Sequence, residues 1–327
     1  MSENIGAVIH VAVLDDYQRR AHEWADWSSL GEDVEVEFFA EPMQPDELPG
    51  ELAPFQVLVL MRERTRFPEA VLARLPELQL VVTTGMRNAS LDVAHLLDRG
   101  VVVCGTEHDP GGAGVSSTVE VAWALILATA KRVAAEDRAL REGRWQTDLP
   151  VNLSGATLGL LGLGRLGAQM VGPARAFGMD VIAWSQNLTA ERAAAAGARP
   201  VTREQLFAQS DWLSIHLVLS ERSRGLVGSA ELGAMKPGAT LVNTSRGPIV
   251  DREALLQALG QGRITAGLDV YDHEPLPAGD PLTEIQGAVL LPHLGYVSES
   301  AMRVMYGQVV EDIGAWKTGE PIRRLER

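Results

Sequence analysis

Three residues in the last third of the chain have side chains suited to proton transfer on an anionic substrate. Arg246, Glu274 and His293 each follow a short apolar run. Histidine titrates near neutral pH without help, so His293 can give and accept a proton. A carboxylate such as Glu274 on its second ring nitrogen would fix the tautomer and stabilise the imidazolium. The planar guanidinium of Arg246 can hold a carboxylate through two hydrogen bonds.

Each of these residues also has an ordinary structural interpretation. An arginine after a strand often forms a surface ion pair, a glutamate before proline often lies in a turn, and a single histidine is usually solvated or hydrogen-bonded. Chemistry is favoured because all three follow predicted strand ends, at the edge where open α/β sheets bind ligands. His273 is a rival base, but it is adjacent to Glu274, and adjacent side chains rarely face one another.

A glycine-rich segment at residues 157–167 predicts a phosphate-binding turn. Gly162, Gly164 and Gly167 have the spacing G-x-G-x-x-G directly after an apolar strand and at the start of a helical pattern. The first glycine allows the tight turn, the second lets a pyrophosphate approach the backbone, and the third lets helix and strand pack closely. Free N–H groups at the start of the helix would face the anion. The segment therefore predicts a dinucleotide cofactor.

The strand after this turn lacks the usual acidic residue at its end. Ser185 occupies the position where an acid commonly binds the adenosine ribose diol. An acid there would repel a 2′-phosphate, and the nearest arginine, Arg192, is several residues further along the chain. The sequence therefore leaves both NAD and NADP open as cofactors.

Short apolar runs alternate with helical patterns along the whole chain, which predicts α/β architecture with two doubly wound parallel sheets. In the first lobe we expect strands at residues 9–14, 34–39, 57–61, 79–83 and 101–104. In the second lobe we expect a six-stranded sheet with strands at residues 157–161, 181–184, 212–216, 240–243, 266–270 and 289–291. Helices are predicted at residues 92–99, 117–141 and 298–316, the last one returning to the first lobe.

A Gly- and Pro-bearing stretch at residues 105–114 predicts a connection between domains. We therefore assign residues 1–105 and 297–327 to one domain and residues 106–296 to a dinucleotide-binding domain. A length of 327 residues agrees with two domains.

Charge and composition limit the partners and the location. A net charge of −14 would repel nucleic acid and an anionic membrane surface, and no apolar run approaches the length of a membrane span. The one cysteine, Cys104, cannot form an intrachain disulfide or anchor a zinc site by itself. The first ten residues contain no lysine or arginine, unlike a signal peptide. We expect no metal and a cytoplasmic protein.

Three blocks of sequence, at residues 241–251, 267–275 and 291–295, closely resemble the D-isomer-specific 2-hydroxyacid dehydrogenase family. The resemblance covers nearly the whole chain. It implies a flavodoxin-like substrate domain and a Rossmann domain with a cleft between them, and a homodimer formed through the region of residues 117–145. It also implies that Arg246 holds the substrate carboxylate and keto oxygen, that Glu274 orients the base, and that His293 is the proton donor and acceptor.

The resemblance also assigns cofactor contacts. Beside the cradle residues Gly162, Gly164 and Gly167, it implies contacts from Arg165 and Leu166 and from Ser185 at the ribose. Asp269 has the position that contacts the nicotinamide carboxamide, and Thr244 and Gly295 line the cofactor side. His216 matches a family segment whose later residues differ here, so we expect a role in the fold.

A loop at residues 82–92 resembles the family segment that offers backbone N–H groups to the substrate carboxylate. We expect substrate contacts from Gly85, Met86 and Arg87, although Arg87 replaces a family glycine, and from Arg62 in a basic stretch. Surface ion pairs are the alternative for the arginines. If Arg62 or Arg87 faces the substrate, a second anionic group on it becomes plausible. Since the chain ends just after its terminal helix, we expect no regulatory domain there.

The function that the sequence favours is hydride transfer between NAD(P)H and a 2-oxo acid, or the reverse oxidation of a D-2-hydroxy acid. The alternative is a nucleotide-sensing scaffold similar to the C-terminal-binding-protein corepressors. Formate oxidation is a third reading, but that branch typically has Gln where this chain has Glu274. The sequence does not identify the acid or the physiological direction.

Overall fold

The computed structural model describes residues 8–107 and 116–326. The chain divides into two compact units, one of Met1–Gly111 with Ser298–Arg327 and one of Gly112–Val297. Most of the connection expected at residues 105–114 lies outside the described residues.

The first unit contains a five-stranded, entirely parallel sheet in the order β2-β1-β3-β4-β5, which is the flavodoxin-like order. Its strands are β1 (Ile9–Val13), β2 (Val34–Phe38), β3 (Val57–Leu60), β4 (Leu80–Thr83) and β5 (Val102–Gly105). Every residue of β3 and β4 is buried, as expected for central strands covered on both faces. The five strands predicted for this lobe are all present.

Four short helices connect these strands: α1 (Ala21–Trp24), α2 (Leu48–Leu52), α3 (Glu69–Leu72) and α4 (Val93–Asp98). The prediction of a helix at residues 92–99 is confirmed as α4. Asp92 caps it by accepting a hydrogen bond from the His95 N–H at 3.0 Å, and Gly100 follows its end with φ 78°. Leucines of the helices and strands form one apolar core.

The second unit contains a seven-stranded parallel sheet in the order β12-β11-β10-β9-β6-β7-β8. Its strands are β6 (Thr157–Leu161), β7 (Asp180–Trp184), β8 (Arg199–Pro200), β9 (Trp212–Ile215), β10 (Thr240–Asn243), β11 (Thr265–Leu268) and β12 (Ala288–Leu290). The order is that of a Rossmann sheet with one further strand at the edge. The two doubly wound α/β sheets confirm the predicted fold class.

The prediction of six strands in this sheet was wrong, because β8 was missed. This edge strand has two residues, one of them a proline that cannot donate to the ladder. It forms only by pairing with Ile182 and Ala183 of β7, so no local pattern marks it.

The helices of the second unit are α5 (Ser117–Ala130), α6 (Val133–Arg141), α7 (Arg165–Gln169), α8 (Val171–Ala176), α9 (Ala190–Ala196), α10 (Arg203–Gln209), α11 (Ser229–Ala234) and α12 (Arg252–Gly260). Short 3-10 turns occur at Gly247–Ile249 and Pro281–Glu284. Apolar side chains of these helices cover both faces of the sheet.

The single helix predicted at residues 117–141 is two helices. Arg132 breaks it with φ 54°, in the left-handed region. Contacts with Val151, a residue distant in sequence, stabilise the break. The Val151 N–H donates to the Ala130 carbonyl at 2.9 Å, and Lys131 Nζ donates to the Val151 carbonyl at 2.8 Å. No glycine or proline marks this position, so helix propensity alone predicted continuity.

The last helix, α13 (Glu299–Lys317), belongs to the first unit. Ser298 caps its first turn. At its other end Lys317 Nζ donates to the Leu30 carbonyl at 2.7 Å, and the Tyr306 ring lies 6.1 Å from that of Trp27. Within residues 8–107 and 116–326, no helix combines the length and apolar character required to cross a membrane.

Each sheet has one point where the strand order reverses, and parallel sheets bind ligands at the carboxyl ends of the strands there. In the second unit this point lies between β6 and β9, and in the first unit between β1 and β3.

Candidate active site

An imidazole and a carboxylate meet beyond the ends of β11 and β12. His293 Nδ1 lies 2.5 Å from Glu274 Oε2. The other carboxylate oxygen accepts the Tyr271 N–H at 2.8 Å, so the backbone fixes Glu274 while it binds the ring. With Nδ1 bonded to the carboxylate, Nε2 is the nitrogen left for a substrate. Glu274 therefore pairs with His293, and not with the rival His273, whose residue is exposed.

The backbone of His293 is held in a rare conformation. Its φ is 55°, in the left-handed region. Asp269, directly after β11, accepts the Leu294 N–H at 2.7 Å and the Gly295 N–H at 2.8 Å, one on each oxygen. From α5, Thr118 Oγ1 donates to the Gly295 carbonyl at 2.7 Å. Hydrogen bonds with Asp269 and Thr118 thus fix the turn that carries His293.

Asp269 is fully buried, and burial raises the pKa of its carboxyl to about 6, although the two N–H groups act in the opposite direction. The sequence suggested a cofactor contact for Asp269. The structure adds anchoring of the His293 turn, which the sequence reasoning missed.

Tyr296 is a second residue that the sequence reasoning missed. Its ring lies edge to face with the His293 imidazole, with centroids 5.2 Å apart and planes at 83°. The only signal in the sequence is its place three residues after His293.

Arg246 follows the neighbouring strand β10, and its residue is half-buried. One guanidinium nitrogen donates to the Ser245 carbonyl at 2.8 Å, and Asn243 Nδ2 donates to the Arg246 carbonyl at 3.0 Å. A Cβ on Gly247 would lie 2.2 Å from the Tyr271 carbonyl carbon. The Arg246 loop therefore abuts the backbone segment that holds Glu274.

The glycine cradle has the shape that a pyrophosphate requires. Gly162 has φ 105°, and a Cβ there would lie 2.5 Å from the His216 carbonyl oxygen. A Cβ on Gly167 would lie 2.2 Å from the Gly162 carbonyl oxygen, whereas no atom lies within 4 Å of one on Gly164. The first and third glycines thus allow close packing, and the second faces open space. Arg165 beside it is exposed, and Leu166 is half-buried.

Two further predicted cofactor residues lie at strand ends of the same sheet. Thr244 directly follows β10, and its buried hydroxyl has no hydrogen-bond partner within the part of the chain that the structure describes. Ser185 directly follows β7. The open cradle and the buried, unpartnered hydroxyl fit a dinucleotide lying along the carboxyl edge of this sheet. NAD or NADP would supply the hydride-carrying nicotinamide there.

His216 has the structural role expected for it. Its residue is half-buried, burial of the ring lowers the pKa of its imidazole to about 4, and its Nε2 lies 2.9 Å from Ser214 Oγ. The ring is therefore neutral at physiological pH.

In the first unit, the four predicted substrate residues lie beyond the ends of β3 and β4. Arg62 has φ 55°, and its guanidinium covers Gly85, where a Cβ would lie 2.5 Å from Nη1. The Gly85 N–H donates to Thr106 Oγ1 at 2.9 Å, so this N–H already has a hydrogen-bond partner within the protein. Met86 and Arg87 are exposed.

Asn88 is a buried polar residue of this loop. Its Nδ2 donates to the Arg62 carbonyl at 2.6 Å and to Thr83 Oγ1 at 2.9 Å. It therefore joins the Arg62 loop to the end of β4.

Within the described ranges 8–107 and 116–326, no group of three or more His, Cys, Asp or Glu side chains is arranged to hold a metal ion.

Comparison with known proteins places this chain in a family. A model of the family described as D-isomer specific 2-hydroxyacid dehydrogenase, NAD binding domain, matches residues 123–295. The chain is 36% identical over 252 residues to the glyoxylate reductase of Korarchaeum cryptofilum, covering 75% of each chain. It is 32% identical over 284 residues to the D-3-phosphoglycerate dehydrogenase of Archaeoglobus fulgidus, covering 86% of this chain and 53% of that protein.

A solved structure agrees with these matches. The phosphoglycerate oxidoreductase of Vibrio cholerae O395 superposes with a TM-score of 0.89 at 32% identity, covering 95% of this chain and 100% of that one. The names of these relatives give no support to the scaffold alternative. The chain therefore belongs to the D-isomer-specific 2-hydroxyacid dehydrogenase family and is an oxidoreductase that transfers a hydride between NAD(P)H and a 2-oxo or D-2-hydroxy acid.

Proposed function

We propose that His293 is the proton donor in the reduction of a 2-oxo acid, that Glu274 orients it, and that Arg246 binds the substrate. The observation that carries this proposal is the 2.5 Å contact between His293 Nδ1 and Glu274 Oε2. It leaves Nε2 for the carbonyl oxygen of a substrate and places a negative charge behind the ring. The carboxylate thereby fixes the orientation of the ring and the nitrogen that faces the substrate.

The proposed reaction joins two transfers. The bound reduced nicotinamide supplies the hydride to C2 of the substrate. Negative charge then develops on the carbonyl oxygen, and His293 donates its Nε2 proton to that oxygen. Arg246 holds the carboxylate and stabilises the developing charge with its planar, positively charged guanidinium. In the oxidation direction His293 accepts the proton instead.

We propose cofactor contacts in three groups along the second sheet. Gly162, Gly164, Arg165, Leu166 and Gly167 receive the pyrophosphate, supported by the open space at Gly164. Ser185 lies at the adenosine ribose. Thr244, Asp269 and Gly295 lie on the nicotinamide side, supported by the unpartnered Thr244 hydroxyl. The dinucleotide domain would comprise residues 106–296.

The remaining domain, residues 1–105 and 297–327, is proposed to bind the substrate. Because Thr106 already accepts the Gly85 N–H, we expect the N–H groups of Met86 and Arg87 to provide the donors for a carboxylate. Arg62 lies against Gly85 in the same loop cluster. A positive charge there supports a substrate that carries a second anionic group, although a short 2-oxo acid needs none.

We propose that the substrate is a short 2-oxo acid, since relatives are named glyoxylate reductase and D-3-phosphoglycerate dehydrogenase. The test follows the absorbance of NADH and NADPH on addition of glyoxylate, hydroxypyruvate, phosphohydroxypyruvate, pyruvate, phenylpyruvate and 2-oxoglutarate. We expect turnover of one or more short acids, and greater loss of phosphohydroxypyruvate than of glyoxylate reduction in Arg62→Ala or Arg87→Ala. No turnover with either cofactor across the set would refute the proposal.

We also propose a homodimer and a cytoplasmic location. Segment 133–151 exposes apolar side chains, including Trp145 at 75% and Leu149 at 87% of their surface, which supports burial against a second copy. Light scattering of the purified protein measures this directly. The single cysteine agrees with a reducing compartment.

A further inference from the structure

We propose that this enzyme prefers NADP(H) to NAD(H), and that Ser185 and Arg192 form the subsite for the 2′-phosphate. The proposal rests on the proposed cofactor site. It concerns the adenosine ribose end, far in sequence from the His293 pair, so the two can fail independently.

The first observation is the end of β7. Leu161 of β6 pairs with Trp184 of β7, and the Gly162 N–H donates to the Trp184 carbonyl at 2.8 Å. The backbone after β7 is therefore tied to the first glycine of the cradle. Ser185 is the next residue, at the position where an acid would bind the ribose diol and repel a 2′-phosphate. A hydroxyl at this position can instead donate to a phosphate oxygen.

The second observation is that the Arg192 side chain contacts this loop. It is in α9, seven residues after Ser185, and the sequence alone gave no reason to place it at the ribose. In the structure one guanidinium nitrogen donates to the Asn187 carbonyl at 3.3 Å, and the Arg192 N–H donates to Thr189 Oγ1 at 3.3 Å. The Leu188 N–H donates to the Ser185 carbonyl at 3.0 Å, which closes the loop as a turn. The guanidinium is thus held at the loop that begins with Ser185.

The third observation concerns charge. Arg192 is exposed and forms no ion pair with any residue that the structure describes, and the single contact to Asn187 leaves most of its N–H donors for a ligand. The nearest acid in the sequence is Glu191. Its carboxylate is engaged by its own backbone N–H and by Thr189, which lower its pKa. A guanidinium with free donors beside a loop without an acid is an arrangement that recognises phosphate.

The test is equilibrium binding, measured by fluorescence or calorimetry with no substrate present. The probes are NADP⁺, NAD⁺, 2′,5′-ADP and 5′-AMP. We expect the protein to bind NADP⁺ more tightly than NAD⁺, and 2′,5′-ADP more tightly than 5′-AMP. Arg192→Ala should weaken both phosphorylated probes at least about tenfold, the loss expected for one charge-assisted hydrogen bond, and change the others much less. Arg199→Ala, which removes the same charge from β8, is the matched control and should change neither ratio.

A second variant tests the same subsite without removing a side chain that packs. Ser185→Asp places a carboxylate at the ribose and should reverse the preference toward NAD⁺. Tighter binding of NAD⁺ by the wild type, or an unchanged NADP⁺ affinity in Arg192→Ala, would overturn the inference and leave the proposed function intact. Binding of neither dinucleotide would overturn the proposed cofactor site itself.

Discussion

At the scale of single residues, the pairing of His293 with Glu274 leads to the sharpest prediction. His293→Ala should lower the turnover number by about 10²- to 10⁴-fold, the usual contribution of a general acid. Glu274→Gln should lower it less, because the amide keeps an oxygen that can accept from Nδ1 but loses the negative charge beside the ring. The measurement is the turnover number beside the dissociation constant of the dinucleotide, which should change little in either variant.

The control for this comparison is His22→Ala, since His22 is an exposed histidine of the first unit. Its turnover should match that of the wild type. If His293→Ala weakened dinucleotide binding as much as it lowered turnover, the assigned role of His293 would be wrong.

Tyr296 leads to a prediction that the sequence alone could not have made. Its ring packs edge to face on the imidazole of His293, the residue whose backbone has φ 55°. Tyr296→Phe keeps this contact and should retain most activity, whereas Tyr296→Ala should lower turnover by up to about tenfold, since such pairs contribute about 0.5–1.5 kcal/mol. Equal activity of the two variants, or equal loss, would show that the ring contact does not position His293. Turnover and KM of both variants provide the measurement.

The residues just described also show what the sequence can and cannot predict. Arg246, Glu274 and His293 were found from residue type and position after apolar runs, because strand ends of a parallel sheet share one edge. Tyr296 and Asn88 gave no such signal, since a ring contact or a buried amide depends on how the chain returns to the same place.

In the glycine cradle, we expect Gly167 to serve the packing of the fold and Gly164 to serve dinucleotide binding. Gly164→Ala should leave the fold intact, because no atom lies within 4 Å of the new Cβ, but it should weaken dinucleotide binding by occupying the space in front of the backbone. Gly167→Ala should instead destabilise the second unit, since its Cβ would meet the Gly162 carbonyl at 2.2 Å. Thermal unfolding and dinucleotide titration of both variants distinguish the two effects.

Gly172→Ala is the matched control, because this helical glycine also has open space around its Cβ and lies outside the cradle. It should leave dinucleotide affinity unchanged and raise stability slightly, because alanine has a higher helix propensity than glycine. Unchanged dinucleotide affinity in Gly164→Ala would remove Gly164 from the proposed pyrophosphate site.

Most strands were predictable because each is an apolar run buried on both faces. The two features that the sequence did not predict, strand β8 and the break between α5 and α6, depend on contacts with residues distant in sequence. Strand β8 exists because both of its residues pair with β7. The break at Arg132 is stabilised by hydrogen bonds between residues 130–131 and residue 151. Local propensity carries no information about either contact.

At the scale of the whole molecule, the chain completes its first unit with its last helix. Asp312 of α13 is fully buried, and Arg323 Nε donates to its Oδ1 at 3.0 Å. Its Oδ2 is buried with no hydrogen-bond partner in the described part of the chain. Burial raises the pKa of this carboxyl to about 7, against the opposing effect of Arg323, and Glu311 and Glu107 add to the rise.

The sign of the resulting pH dependence follows from linkage. Since the folded-state pKa lies above the ordinary value of 3.8, the unfolded chain loses this proton first as pH rises. The contribution of Asp312 to stability is therefore complete at pH values below about 4 and is lost progressively as pH approaches about 7. Asp312→Asn cannot ionise and keeps an oxygen for Arg323. Its free energy of unfolding should thus gain on that of the wild type from pH 4 to pH 7 and then stay level.

Urea unfolding at a series of pH values, with amide hydrogen exchange of α13 to assign the change to the first unit, measures this difference. Glu311→Gln is the control, because Glu311 binds the same arginine but is 61% exposed. Its stability should run nearly parallel to that of the wild type over the same pH range. If the Asp312→Asn curve were parallel as well, the buried carboxyl would be ionised in the folded protein throughout, and the ion pair with Arg323 would outweigh its desolvation.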